Sequence, residues 1–199
     1  YGPEAVGGAI NLITKTAPGI PTAQIGYQMD QWGYGRVQFT AGAQLGKKWS
    51  IMTGGYVARQ RGAWASNSDF DKTSVNVRLD YQFTPKTKLW GSFAYNDYYS
   101  QTGGNIDSTG FYSRTYKSPA DFTYRGSFSS RSRLTLEHQW SKKANSSVTA
   151  FYRDNVLGQN PSFLISWAPP SLSASGQINE NSFRSFGIMA QHNQSFDFL

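Results

Sequence analysis

Cysteine is absent from the 199 residues, which excludes a disulfide framework, a thiolate metal site and a thiol nucleophile. Charge is scarce: Asp, Glu, Lys and Arg make up 16% of the chain, against about 25% in an ordinary soluble domain. Histidine occurs twice, too few for a centre built on several imidazoles. No run approaches the ~18 consecutive apolar residues that a membrane-crossing helix needs. No apolar stripe at helical spacing survives the interruptions by glycine and by β-branched or aromatic alternation, so no helix is expected. At Tyr1 there is no initiating Met, basic region or apolar leader. The segment is therefore expected to begin after a removed signal or inside a longer protein, and it stops within a strand-like stretch.

What is abundant is aromatic and small. Aromatic residues are 16% of the chain and glycine occurs 20 times, yet mean hydropathy is −0.53. A transmembrane β-barrel has this mixture: aromatic girdles, a modest lipid-facing band and a polar lumen. The net charge is +7, but Lys and Arg are dispersed along strand and turn positions. A nucleic-acid partner is not expected from that pattern.

Period-two alternation dominates, the mark of strands with two unlike faces. Val75, Val77, Leu79, Tyr81 and Phe83 interleave with Asn76, Arg78, Asp80 and Gln82. The first set is expected to face lipid and the second the lumen. The same pattern runs through 23–30, 37–45 and 133–140, with further strands expected near 49–60, 88–99, 146–157 and 183–196. These runs are longer than the usual five or six residues and match the 9–11 of a tilted membrane strand. Three connections are short and polar, at 46–48, 84–87 and 141–145, and they alternate with long ones near 61–71, 100–123 and 158–181. Short turns at one end and long loops at the other is the layout of an outer-membrane barrel. Trp49, Trp90 and Trp140 each lie near a short turn and are expected to form a girdle there.

The first fifteen residues resemble the end of the plug domain of TonB-dependent receptors. The resemblance rests on Tyr1, Gly2, Ala5, Gly7, Gly8, Ile10, Asn11, Ile13, Thr14 and Lys15: an aromatic-Gly, a Gly-Gly pair, then an apolar-Asn-apolar-apolar-Thr-Lys strand. It implies that 1–16 end a plug, 17–22 link, and 23–199 are the first eight or so strands of a partial, all-β, antiparallel transmembrane barrel. The whole protein would then be a 22-stranded plugged barrel in the bacterial outer membrane. It would import a scarce nutrient, most often a ferric siderophore and sometimes cobalamin, haem or a glycan, with energy from TonB acting on a segment upstream of Tyr1. The alternatives are a passive porin and a soluble ligand-binding β-sandwich.

Catalysis, a cofactor and a metal site find no support. His138 and His192 sit near a girdle, and Asp69 and Asp71 flank Phe70 in a solvated loop. Ligand-contact candidates are Tyr98, Tyr99, Phe111, Tyr112 and Tyr116 around the long middle loop, where flat rings give contact area at low entropic cost. Loop self-packing explains the same rings. Phe163 and Trp167 stand in the next loop. Arg36, Arg59, Arg78, Arg131, Arg133 and Arg153 are read as lumen-facing, with Arg59 and Arg78 carried as ligand candidates. Gly103, Gly104 and Gly110 predict a mobile lid over 103–116.

Overall fold

The computed structural model describes residues 15–118 and 121–196. One antiparallel sheet contains strands β1 (Thr22–Met29), β2 (Tyr34–Leu45), β3 (Trp49–Gln60), β4 (Phe70–Thr84), β5 (Thr87–Gln101), β6 (Tyr124–Ser141), β7 (Ala144–Asn160) and β8 (Asn179–Gln194). They pair in chain order, each with the next. The sheet is not closed, so β1 and β8 are its edges. Every expected strand is present. Among the described residues there is also one short helix, α1 (Ser108–Ser113), and a 3-10 turn at Ser162–Leu164. The expectation of no helix is corrected at α1. Asp107 caps it by accepting the Gly110 amide at 2.6 Å, and six residues are too few to display a helical period.

In a simple meander every second connection falls at the same end. The turns after β2, β4 and β6 therefore share one end, the turn end; the connections 30–33, 61–69, 102–123 and 161–178 share the other, the loop end. The loop sorting read from the sequence holds, except that the first loop-end connection is a tight turn. There Asp30 folds its carboxylate back onto the amides of Trp32 and Tyr34 at 2.8 and 3.1 Å.

Register fixes the two faces. Phe39 pairs with Gly55, Gly55 with Val75 and Val75 with Tyr95, and these share one face. Gln38, Tyr56, Ser74 and Asn96 share the other. The packing is inverted relative to a soluble protein. Among the described residues the buried apolar side chains are Ala58 and Pro161, while Ser74, Arg78, Asp80, Thr123, Thr135, Thr149 and Asn160 are buried. Ile25, Phe39, Leu79, Phe93, Leu134, Leu136, Phe186 and Ile188 are exposed, all on the Phe39 face. A contiguous apolar surface of this kind has no stable place in water and matches the lipid face of a membrane wall, with the polar face turned to a lumen. Val75, Val77, Leu79 and Tyr81 lie on the apolar face, opposite Asn76, Arg78 and Asp80, as expected.

The strands β4 to β8 run 15, 15, 18, 17 and 16 residues, more than the 9–11 needed to cross a bilayer. Their surplus lies at the loop end. There the apolar-face positions turn polar: Asp97, Ser130, Asp154 and Arg184, with Arg184 donating to Asp154 at 3.1 Å.

Candidate functional site

The polar face and the loop end are where this wall can meet a solute. The polar faces of β1 to β5 bound a trough of about 830 Å3, lined by Lys15, Gln24, Arg36, Gln38, Tyr56 and Asn76 among others. The Arg36 guanidinium lies 4.3 Å from the centroid of the Tyr56 ring, a cation–π contact across neighbouring strands. Low on this face, Asp80 is clamped between Arg78 and Lys88, at 2.9 and 2.7 Å. Arg78 and Arg133 lie 4.4 and 4.8 Å from the centroid of the Trp90 ring, and Trp90 Nε1 donates to Glu137 at 2.6 Å. Trp90 therefore belongs to the polar face, and the expected three-tryptophan girdle is corrected to Trp49 and Trp140. The phase of β5 carried that signal, since Trp90 alternates with Leu89 and Gly91 and pairs with Asp80.

At the loop end, 61–69 and 102–123 are knit together. Asn67 sits in the left-handed region at φ 55, which Asn tolerates better than most residues. Its amide donates to the carbonyls of Thr102 and Thr123 at 3.3 and 3.5 Å and to Thr123 Oγ1 at 3.3 Å. Thr123 is 1% exposed, and its hydroxyl also donates to the Thr102 carbonyl. The Ser66 amide donates to the Tyr116 carbonyl at 3.2 Å, and the Ser118 amide to Ser66 Oγ at 2.5 Å. The Gly103 carbonyl accepts from Tyr116 OH and Ser118 Oγ at 2.5 and 2.8 Å. A Cβ at Gly103 would stand 2.7 Å from the Ser66 carbonyl oxygen. The glycine here serves close approach of two loops.

A second tie is aromatic. Arg114, at φ 57 just past α1, places its guanidinium 5.0 Å from the rings of Trp64 and Phe111 and 5.5 Å from Trp32. One cation thereby joins the β1–β2 turn and the loops 61–69 and 102–123. Trp32, Trp64, Asn67, Arg114 and Thr123 were missed from the sequence because their partners are distant in the chain. Loop 161–178 closes on itself: Ser166 and Ser175 exchange backbone hydrogen bonds, and Trp167 Nε1 donates to the Ser171 carbonyl at 2.7 Å. Its Phe163 and Trp167 rings stay exposed.

The sequence candidates do not form one cluster. Tyr98 and Tyr99 belong to β5 rather than to the loop, and they face opposite sides. Tyr98 lies on the polar face with Lys72 Nζ 5.9 Å from its ring centroid; Tyr99 lies on the apolar face, stacked on Tyr124 at 5.7 Å. Phe111 and Tyr112 sit on α1 in edge contact at 5.4 Å, and Tyr112 is 82% exposed. Tyr116 is engaged with Gly103. Arg59 pairs with Asp71 at 3.3 Å on the apolar-face register at the loop end, so its expected lumen orientation is corrected. Arg78 lies at the other end of the wall. Asp71 also holds Arg61 at 2.5 Å, and Asp69 accepts from the Gly62 amide at 3.1 Å. Among the described residues no three acidic, histidine or cysteine side chains converge as metal ligands. Of the plug motif only Lys15 is described, exposed at the trough; Tyr1, Gly2, Gly7, Gly8, Asn11 and Thr14 lie outside the described residues.

No protein-family model matches the chain, and no curated protein does. Solved structures do. The chain is similar to the ferric-catecholate import receptor Fiu from E. coli K12, in its open form, with a TM-score of 0.69 and 10% identity over 93% of this chain and 33% of that one. It is similar to the unliganded ferric citrate transporter FecA, with a TM-score of 0.75 and 13% identity over 100% of this chain and 30% of that one. Both neighbours are TonB-dependent receptors, and the chain spans about a third of each. Eight antiparallel strands in chain order, an inverted distribution of polar and apolar residues, and these two likenesses together give the chain the fold of a TonB-dependent receptor fragment, the barrel wall in particular.

Proposed function

We propose that this chain is part of an outer-membrane importer that takes up a ferric siderophore with energy delivered through TonB. The observation that carries the reading is the likeness of the sheet to the walls of a ferric-catecholate import receptor and a ferric citrate transporter. Residues 1–16 would end the plug, 17–22 would link it to the wall, and TonB would engage a segment upstream of Tyr1. The trough beside Lys15, Arg36 and Asn76 suits a plug packed against the polar face, because those side chains offer donors to a partner surface in a hydrated lumen. At the loop end, Tyr112 on α1 is the best-exposed ring among the sequence candidates, with Phe111 beside it. Tyr98 is a second choice, on the lumen side. Tyr99 and Arg59 lie on the lipid-side register and leave the ligand set.

The test uses the full-length protein in an iron-starved bacterium lacking its own ferric-siderophore receptors. Radioactive iron is offered as ferric citrate or as a ferric-catecholate complex, with and without TonB. Uptake is expected to require both the protein and TonB. Removing 103–116 should lower uptake several-fold while a heat-modifiable barrel still forms, since the membrane-spanning hydrogen-bond ladder is untouched. Uptake that persists without TonB would identify a passive pore and end this reading.

A further inference from the structure

The lysines and arginines of this chain part company in space. Five of the nine lysines, Lys47, Lys48, Lys86, Lys142 and Lys143, fall on the three short turns, and none of the ten arginines does. Dispersed along the sequence, they converge at the turn end, all exposed. The backbone fixes this placement by a repeated device. The carbonyls of Lys48, Lys86 and Lys143 accept from the amides of Gln82, Gln139 and Ser195, each at 2.8 Å, so each turn is tied to the strand end beyond it.

The apolar face just above these turns carries groups with one polar edge. Trp49 contacts Tyr81 at 4.4 Å, and Tyr81 contacts Phe83 at 4.7 Å. Thr87, His138, Ser146 and His192 form one unbroken row across β5 to β8. Within it Thr87 Oγ1 meets His138 Nδ1 at 2.9 Å, and Ser146 Oγ meets His192 Nδ1 at 2.8 Å and accepts from Trp140 Nε1 at 2.9 Å. Amphipathic rings of this kind sit where hydrocarbon gives way to headgroups. Among the described residues, the acids at this end are Asp80 and Glu137, which belong to the polar face and are already engaged there.

We propose that the turn end is a docking collar for anionic phospholipid, in which Lys47, Lys48, Lys86 and Lys142 pair with headgroup phosphates of the leaflet around the short turns. Lysine suits this role: a compact, strongly hydrated charge on a flexible stem reaches mobile phosphates without needing fixed bidentate geometry. The occupant follows from continuity, since the collar borders the lipid-facing surface and has its charge at headgroup level. The inference rests on the membrane-wall reading above.

The test takes the full-length protein folded in detergent, with its barrel first verified by heat-modifiability. Binding of phosphatidylglycerol and of phosphatidylethanolamine is then counted by native mass spectrometry. The parent is expected to prefer phosphatidylglycerol by about tenfold at low salt, and to lose most of that preference in about 0.5 M salt. Combined Lys47→Gln, Lys48→Gln, Lys86→Gln and Lys142→Gln should bring the preference to about threefold or less. The same four changed to Arg should retain it, as should Lys72→Gln with Lys117→Gln at the loop end. A folded barrel whose glutamine variant keeps the full preference overturns the collar alone. A parent that forms no heat-modifiable barrel overturns the membrane reading and the collar with it. A parent with no lipid preference that binds polyglutamate through the same lysines reassigns the collar to an acidic macromolecule and overturns the lipid assignment.

Discussion

The turn end and the loop end of this sheet are built on opposite principles. At the turn end, order is local and repeated. Thr84 and Ser141 each accept the amide two residues on, from Lys86 and Lys143, at 3.2 Å, and each hairpin shifts register just before its turn. At the loop end, order comes from residues far apart in the chain: Asn67 on Thr102 and Thr123, and Arg114 among Trp32, Trp64 and Phe111. Local devices survive changes elsewhere. A long-range knot depends on every strand beneath it being in register.

The largest expected effect separates the wall from both ends. Leu79→Arg places a charge on the lipid face, which costs up to about 2–4 kcal/mol, the full amount applying near mid-bilayer. Asn76→Arg, three residues away on the polar face, should be tolerated. Heat-modifiable barrel measured in outer-membrane fractions checks the pair, and equal yields would reverse the face assignment. Next in size is Asp80→Ala, which leaves Arg78 and Lys88 facing each other without their anion in a buried setting. Removing one partner of a buried pair costs about 3 kcal/mol, measurable as a shift in the urea midpoint of the folded barrel.

Smaller and confined to the loop end is Asn67→Ala. It deletes the donor shared by Thr102 and Thr123 and strains a left-handed position, at a cost of about 1–2 kcal/mol. Hydrogen exchange should quicken in 61–69 and 102–123 while β4 to β7 keep their protection. Quickening throughout the strands would show that the loop knot supports the wall and would erase the contrast between the ends. The smallest effect belongs to Arg114→Gln, which removes exposed cation–π contacts worth about 0.5–1 kcal/mol each. It should leave barrel assembly unchanged and raise the accessibility of Trp64, read as faster quenching of tryptophan fluorescence by acrylamide.

Strand positions were legible because a side-chain period of two is a local signal that a one-residue slip would invert. The alternation of Val75 to Phe83 is enough to give both faces of β4. The short turns were legible for a similar reason: each is a brief polar break between alternating runs, with Gly46, Pro85 and Asn145 among its residues. Trp90 was readable too, from its phase between Leu89 and Gly91; its nearness to a turn misdirected the reading toward a girdle. The same happened with Arg59, whose place at a strand top hid its outward register. The loop aromatics were grouped by sequence distance, and β5 then set Tyr98 and Tyr99 on opposite sides.

By itself, then, the sequence determined the eight strands, most of their face assignments and the three short turns at one end, because each depends on residues within a few positions of one another. Only the tertiary structure decided what comes together at the ends. The Asn67 side chain and Thr123 are separated by 56 positions, and the lysine collar gathers residues from 47 to 142. Such contacts exist once the hydrogen-bond ladder has fixed every register between them, and no local pattern of residues encodes that sum.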